Sequence, residues 1–349
     1  MKHYLLLIVC LCYAFAKAQS EKTYKVHTIA FYNVENLFDT EDDPITYDDD
    51  RTPTGKDRWT KAIYADKVEK MAGVIAEVGE EMSKNAPALI GLAEVENLAT
   101  VQALANDPAL LPKDYGIAHF DSPDRRGIDV ALMYQKSLFK PTNISKHPLY
   151  IYDRNNGDKR VYTRDQLLVS GLLDGDKIHV IVNHWPSRSG GEARSRSKRI
   201  AAAELNMRII DSLQSNDPYA KIITMGDLND DPTSPSVKKT MDAKADREDV
   251  KDQELFNPMA NMYKKGLGTL AYRDGWNLFD QIIVTEPLIR KEYDSYRFFK
   301  AGIHNRAYLM NPKGRYKGYP YRSFANGAYT GGYSDHFPVY IYLIKEVTN

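Results

Sequence analysis

Short apolar runs, each closed by a cluster of polar residues, recur along this chain. Residues 26–34, 87–92, 127–134, 166–173, 177–183, 222–225, 278–284 and 339–343 have the length and apolar density of strands, several of them buried on both faces. Two other stretches repeat every 3.6 residues. Val68, Met71, Ile75, Val78 and Met82 share one helix face within residues 60–84, and Ile200, Ala203, Met207, Ile210 and Leu213 do so within 194–214. These stripes are core, including their methionines. Strand, helix and strand follow one another from Lys177 to Met225, which argues a layered α/β fold. Residues 233–275 carry no clear period and are expected to form loops and a short helix.

Length and charge then narrow the picture. The 349 residues suffice for one large domain or two ordinary ones. Residues 1–18 have the form of a secretory signal: Lys2 and His3 precede an apolar run over 5–15, and Ala16-Lys17-Ala18 is a small-residue cleavage pattern. Lipidation at Cys10 ranks below cleavage, because Val9 is a poor small residue before it. Cys10 and Cys12 both lie in that segment, so a mature chain has neither disulfide nor thiolate chemistry. Without Lys2 and Lys17, 45 basic residues face 47 acidic ones, a net of −2. Attraction to a polyanion must come from local patches.

Candidate chemistry collects where apolar runs end, since loops leaving strands carry side chains into ligand space. Gly226-Asp227-Leu228-Asn229 leaves one run, with a carboxylate able to take a proton and an amide able to orient its partner. Asn33 and Glu35, two apart, share a strand face. Glu94 ends another run, where a carboxylate is costly to bury unless something positive meets it; Glu96 reads as exposed. His184 stands just before the strand-stopping Pro186, and Asp280 lies inside a strand-like run where it needs a partner. The acidic run 39–50 reads as a solvated loop, with a calcium site as the alternative. Arg194, Arg196, Lys198 and Arg199 read as a solvated helix face, or beside an active site as neutralisers of phosphate. Residues 306–334 hold five basic side chains, no acidic ones and seven aromatic ones. That segment either stacks bases while holding their backbone or is a long loop packed on its own tyrosines.

The ordered set Asn33, Glu35, Glu94, His184, Asp227, Asn229, Asp280, Asp335 and His336 resembles the endonuclease/exonuclease/phosphatase superfamily. The carriers are Gly-Asp-x-Asn and a terminal Ser-Asp-His, in the right order and at the right distance. The resemblance spans residues 23–344 and implies a single domain over 19–349. The implied fold is α/β, a four-layer α/β/β/α sandwich of two packed mixed β-sheets flanked by helices, with the site at one end of the sheets. It implies Glu94 as principal metal ligand, with Glu35 and Asp335. Asn33 would help hold the phosphate, and Arg164 is a further phosphate contact. Asp227 would orient and deprotonate water, with Asn229 fixing it or the phosphate. His336, oriented by Asp280, would stabilise transition-state charge. His184 matches the histidine of the deoxyribonuclease and sphingomyelinase branches, and would protonate or stabilise the leaving oxygen. The implied cofactor is Mg2+, with Mn2+ or Ca2+ as alternatives.

The expected activity is that of an exported phosphodiesterase, periplasmic or extracellular, acting as an endonuclease on DNA or RNA. The alternatives are a sphingomyelinase-like phospholipid phosphodiesterase or a sugar-phosphate phosphatase, and a noncatalytic binding protein on the same fold. No stable protein partner is implied.

Overall fold

A computed structural model describes residues 22–153, 157–291 and 294–347; the segment expected to be a secretory signal, with Cys10 and Cys12, lies outside the described residues. The apolar runs pair into two six-stranded sheets. The first holds β1 (Thr23–Leu37), β2 (Leu89–Val95), β3 (Tyr115–His119), β4 (Asp129–Gln135), β11 (Arg297–Ile303) and β12 (Val339–Val347), in the order β11-β12-β1-β2-β4-β3. The second holds β5 (Phe139–His147), β6 (Gln166–Leu173), β7 (Asp176–His184), β8 (Ile222–Asp227), β9 (Leu255–Phe256) and β10 (Asp280–Thr285), in the order β9-β10-β8-β7-β6-β5. Each sheet mixes one central parallel pair, β1 with β2 or β7 with β8, with antiparallel neighbours.

A parallel pair needs a crossover, and in each case a helix provides it. α1 (Lys61–Glu77) joins β1 to β2, α2 (Leu98–Ala105) follows β2, and α3 (Glu192–Asn216) joins β7 to β8. Strand alternation divides the core into layers. Ile29 and Phe31 of β1 face inward, packing with Val180, Val182, Ile223 and Met225 of the second sheet. Ala30 and Tyr32 face outward against Met71 and Ile75 of α1, and Ile181 of β7 packs outward against Ala203 and Ile210 of α3. The result is the four-layer α/β/β/α sandwich. Thr60 caps α1 by accepting from Ile63 N, worth about 1 kcal/mol. Burying Met71 and Ile75 completely is worth about 1.5–3 kcal/mol each, so packing dominates the docking of α1.

The expected helix over 60–84 stops at Glu77, because Gly79 takes φ 73° with Thr28 packed where a side chain would stand; Met82 is consequently partly exposed rather than core. Four strands of the two sheets escape the apolar pattern. β3 is short, β5 is polar with Pro141 inside it, β9 has only two residues and lies in the segment 233–275 expected to be loops and a short helix, and β11 mixes lysine and arginine with phenylalanine. All four are edge strands, where an apolar face is needed on one side at most. The acidic segment 39–50 is not a freely solvated loop: Asp48 is buried, and Tyr47 N donates to Arg125 O at 2.7 Å. Glu96 is also buried, accepting from Asp39 N at 2.6 Å, and burial pushes its carboxyl up to about 8.

Candidate active site

The two parallel pairs finish at one end of the sandwich. Asp227, the last residue of β8, lies across from His184 of β7 on one side and Asp280 of β10 on the other. The turn before β12 is tied to β1 there, since Ser334 Oγ donates to Asn33 O at 2.7 Å and accepts from His336 N at 3.1 Å. Residues distant in sequence thus converge from both sheets.

Backbone distortion at the strand ends turns the acidic side chains. Glu35 (φ 51°), Asn36 (52°), Glu94 (64°) and Asn229 (50°) are all left-handed without being glycine. The register shifts between Asn33 and Leu37 and again between Ala93 and Val95. Such conformations cost on the order of 1 kcal/mol or more each and persist where surrounding contacts over-determine them. Those contacts are present: Asn36 N donates to Glu94 Oε2 at 3.0 Å, Glu35 N to Asn33 Oδ1 at 3.0 Å, and Asn229 N to Asp227 Oδ1 at 2.9 Å.

Asp227 is the hub. Its Oδ2 accepts from Asn33 Nδ2 at 3.1 Å and stands 3.6 Å from His184 Nε2 and 3.9 Å from His336 Nε2. Burial pushes its carboxyl up to about 7, with His336 pulling the other way and Asp280 adding to the rise. That value suits a base poised near neutral pH. His336 Nδ1 lies 2.7 Å from Asp280 Oδ2, and Asp280 with Asp227 and Asp335 outweighs burial, holding the imidazole well above its ordinary range. His336 is therefore a cation at neutral pH.

His184 is the opposite case. Burial, then Arg164 and Arg126, push it well below the ordinary range, so its ring is neutral. Its Nε2 points between Asp227 and Glu94 Oε1, the latter 3.9 Å away. Of the two expected roles, a neutral imidazole suits stabilising the leaving oxygen by a hydrogen bond rather than protonating it. Arg164 is corrected as well: it is buried, with Nε donating to His184 O at 3.2 Å, Nη2 to Trp185 O at 2.6 Å and Nη1 to Asp124 Oδ2 at 3.0 Å. Its donors hold the His184 turn and do not face a phosphate. Asn229 likewise commits its side-chain amide to Trp185 O, at 3.0 Å. Arg199 is buried against Asp230 at 2.8 Å and Arg196 pairs with Glu192 at 2.7 Å, which leaves neither as a neutraliser of phosphate.

Glu35 and Asp335 meet a cation of the chain itself. Arg322 donates from Nε to Glu35 Oε1 at 3.1 Å and from Nη2 to Asp335 Oδ2 at 2.9 Å. Glu35 Oε2 accepts from Ser323 N at 2.6 Å and Ser323 Oγ at 2.8 Å, and the wholly buried Lys67 donates to that same Oγ at 2.9 Å. Burial lowers the Lys67 ammonium to about 8. Sequence reasoning missed Lys67 and Ser323 and carried Arg322 only as one of the five basic side chains of 306–334. Lys67 left a signal of its own, as a charged residue in register with Met71 and Ile75 on the apolar stripe.

The donor set fits a hard divalent cation. Ligand atoms of Asp227, Asp280 and His336 lie within 4.8 Å of one another, Asp280 Oδ1 is buried without a hydrogen-bond partner, and Glu94 adds a carboxylate beside them. The imidazolium of His336 has no free lone pair, so the donors left for an ion are the carboxylate oxygens, which with no thiolate suit magnesium, manganese or calcium. A second acidic group, His119, Asp121 and Asp129, is accounted for internally: His119 Nε2 meets Asp129 Oδ2 at 3.0 Å, and Ser122 N donates to Asp129 Oδ1 at 2.7 Å.

A family model described as "Endonuclease/Exonuclease/phosphatase family" matches residues 28–345. No curated protein sequence matches the chain. Solved structures match over most of its length. An endonuclease/exonuclease/phosphatase family protein from Bacteroides thetaiotaomicron superposes with a TM-score of 0.54 at 16% identity, covering 94% of this chain and 98% of its own. A mannosyl-6-phosphatase from Bacteroides thetaiotaomicron VPI-5482 gives 0.52 at 16%, covering 91% and 99%. D. rerio TDP2 complexed with single strand DNA product gives 0.50 at 15%, covering 91% and 98%. At these identities the likeness is one of fold.

Proposed function

Because the chain belongs to the endonuclease/exonuclease/phosphatase family, whose members are metal-dependent phosphoester hydrolases, we propose that it hydrolyses phosphodiester bonds of a nucleic-acid strand, as an exported endonuclease. One observation carries the hydrolytic reading: a buried carboxylate, Asp227, sits between a cationic and a neutral imidazole and is held by Asn33. A base, a fixed positive charge and a neutral donor around one small space are what attack of water on a phosphodiester requires.

Asp227 takes the proton of water as its oxygen bonds to phosphorus. The imidazolium of His336, its Nδ1 fixed by Asp280, faces the non-bridging oxygens and offsets the added charge. The bond to the leaving oxygen breaks, and a hydrogen bond from neutral His184 supports that oxygen as it takes a proton from solvent. Asn33 Nδ2, which donates to Asp227, would also help hold the phosphate. A divalent cation, magnesium the proposed ion, would be held by Glu94 with Glu35 and Asp335 and would neutralise the phosphate.

Support for a nucleic-acid substrate is local. Half-exposed Arg126 and Arg322 border the site beside the exposed ring of Tyr47. The tyrosines of 306–334 divide their roles: Tyr319 packs between Trp276 and Tyr316 at centroid distances of 5.8 and 5.7 Å, whereas Tyr316 is exposed, with the Arg315 guanidinium 5.7 Å over its ring. The amino-terminal pattern of Lys2, His3 and Ala16-Lys17-Ala18 supports export.

Plasmid nicking by the purified chain, with magnesium or a chelator, tests this beside an Asp227→Asn control. Nicking that needs metal and is lost in the variant is expected. Turnover of hexose phosphates without nicking would replace the nuclease with a phosphatase. Inactivity on every phosphoester would sink the hydrolytic reading.

A further inference from the structure

Beside the reactive centre lies a cleft of about 520 Å³ lined by Tyr47, Lys56, Arg126, Arg322 and Phe324, among others. That volume falls in the range of pockets that enclose a nucleotide-sized ligand. Two lining residues join the cleft to the centre: Asn36, whose N donates to Glu94 Oε2, and Arg322, which donates to Glu35 and Asp335. The acidic segment is its outer wall. Tyr47 N is pinned to Arg125 O, and Gly127 is packed so closely that a Cβ there would stand 3.1 Å from Thr46.

The cations lining this cleft differ in how far they are engaged. Arg51 is structural, pairing with Asp57 at 3.1 Å and lying 4.8 Å over Phe324. Lys56 is largely exposed and 3.6 Å from an equally open Asp50. Arg126 is about half exposed, and the carboxylate it approaches at 3.6 Å, Asp124, is already bound by Arg164 at 3.0 Å. Tyr47, 70% exposed as a residue, lines the same space. Open cations beside an open ring, next to a site for one phosphate, match a ligand with a ring and a further negative charge.

We propose that this cleft is a subsite for a second phosphate, borne next to the scissile one on a ring that stacks on Tyr47, with Lys56 and Arg126 as its counter-charges. Arg322 stands at the border between the two. In a nucleic-acid strand each nucleoside is flanked by two phosphates, so the second phosphate is the next one along the strand. The inference rests on the hydrolytic reading of the adjoining site.

Titration calorimetry of the purified chain carrying Asp227→Asn, in magnesium, separates the two ideas because it needs no turnover. Adenosine 3′,5′-bisphosphate is expected to bind about tenfold or more tighter than adenosine 5′-monophosphate, the worth of one charge-assisted contact. Lys56→Ala or Arg126→Ala should bring that ratio close to one, and using the ratio cancels any effect on the first phosphate. Glucose 1,6-bisphosphate against glucose 6-phosphate is the second arm. An excess in the sugar pair alone keeps the second-phosphate subsite and overturns the strand as its source. Equal affinity within both pairs overturns the subsite, even if plasmid nicking has established the hydrolase.

Discussion

At the scale of residues, two protons govern the centre and their directions can be worked out. Catalysis needs Asp227 ionised and His336 protonated. Since Asp227 sits at about 7, kcat/KM should climb with pH as it loses its proton, and fall at alkaline pH as His336 loses its own. Asp280 raises both groups. Asp280→Asn should therefore move both limbs of the bell toward acid, by about one unit or more, whereas a merely structural loss would lower the bell without moving it. Asp227→Asn should cost about 10²- to 10⁴-fold in kcat. Arg164 offers a contrasting test. As the anchor of the His184 turn, its replacement by Met takes the buried guanidinium away from Asp124 and from the carbonyls of His184 and Trp185, a loss of about 3–5 kcal/mol by urea unfolding with little change in KM; a large rise in KM at unchanged stability would restore it as a phosphate contact. Asp227 and His184 were legible as candidates because each is a chemically capable residue at the end of an apolar run, Asp280 because a carboxylate inside such a run needs a partner, and His336 through the Ser-Asp-His of the family resemblance. What engages Glu35 and Arg164 was not, since their partners lie 287 and 40 residues away and no local pattern encodes such a contact.

At the scale of elements, the central strands and crossover helices were readable because burial on both faces leaves an apolar run and burial on one leaves a stripe. The edge strands were not, and neither were the left-handed residues at 35, 36, 94 and 229, which are polar where the turn rules lead one to expect glycine. The long aromatic segment was readable only as alternatives, and the structure shows what seats it. Lys67 donates to Ser323 Oγ and to Tyr333 O at 2.6 Å, Lys70 donates to Gly331 O at 2.7 Å, and Tyr329 meets Asp66. One face of α1 thus holds both ends of a turn whose Arg322 touches two carboxylates of the centre. Lys67→Met keeps the apolar stem while removing the donor to the partly buried Tyr333 carbonyl. A cost of about 1–3 kcal/mol is expected, with faster proteolysis within residues 312–334 while α1 stays protected. Cleavage no faster than in the parent chain would show that the segment is held by its tyrosines alone.

At the scale of the whole molecule, the centre is shared between sheets: Asn33, Glu94 and His336 come from the first, and His184, Asp227 and Asp280 from the second. Their separation is set by the packing between the sheets, and at one point that packing leaves no room. A Cβ on Gly91 of β2 would stand 2.8 Å from Met225 Sδ, 3.1 Å from Val182 Cγ1 and 3.2 Å from Phe31 Cδ2, atoms of β8, β7 and β1. Gly91 lies three residues before Glu94, and Met225 two before Asp227, so a wedge here tilts the base against the carboxylate of the other sheet. The Met225 thioether is flexible enough to yield to one methyl. Gly91→Ala should therefore be mild, whereas the branched side chain of Gly91→Val should cost about 1–3 kcal/mol in overpacking. The distinguishing result is kinetic. Well below the melting temperature, where Gly91→Val is still folded, its kcat should fall by about tenfold or more, because misplacement of reacting groups by 1 Å can cost 10²-fold. A variant with lowered Tm but parental kcat would mean that the strand ends hold the centre independently of the spacing between the sheets.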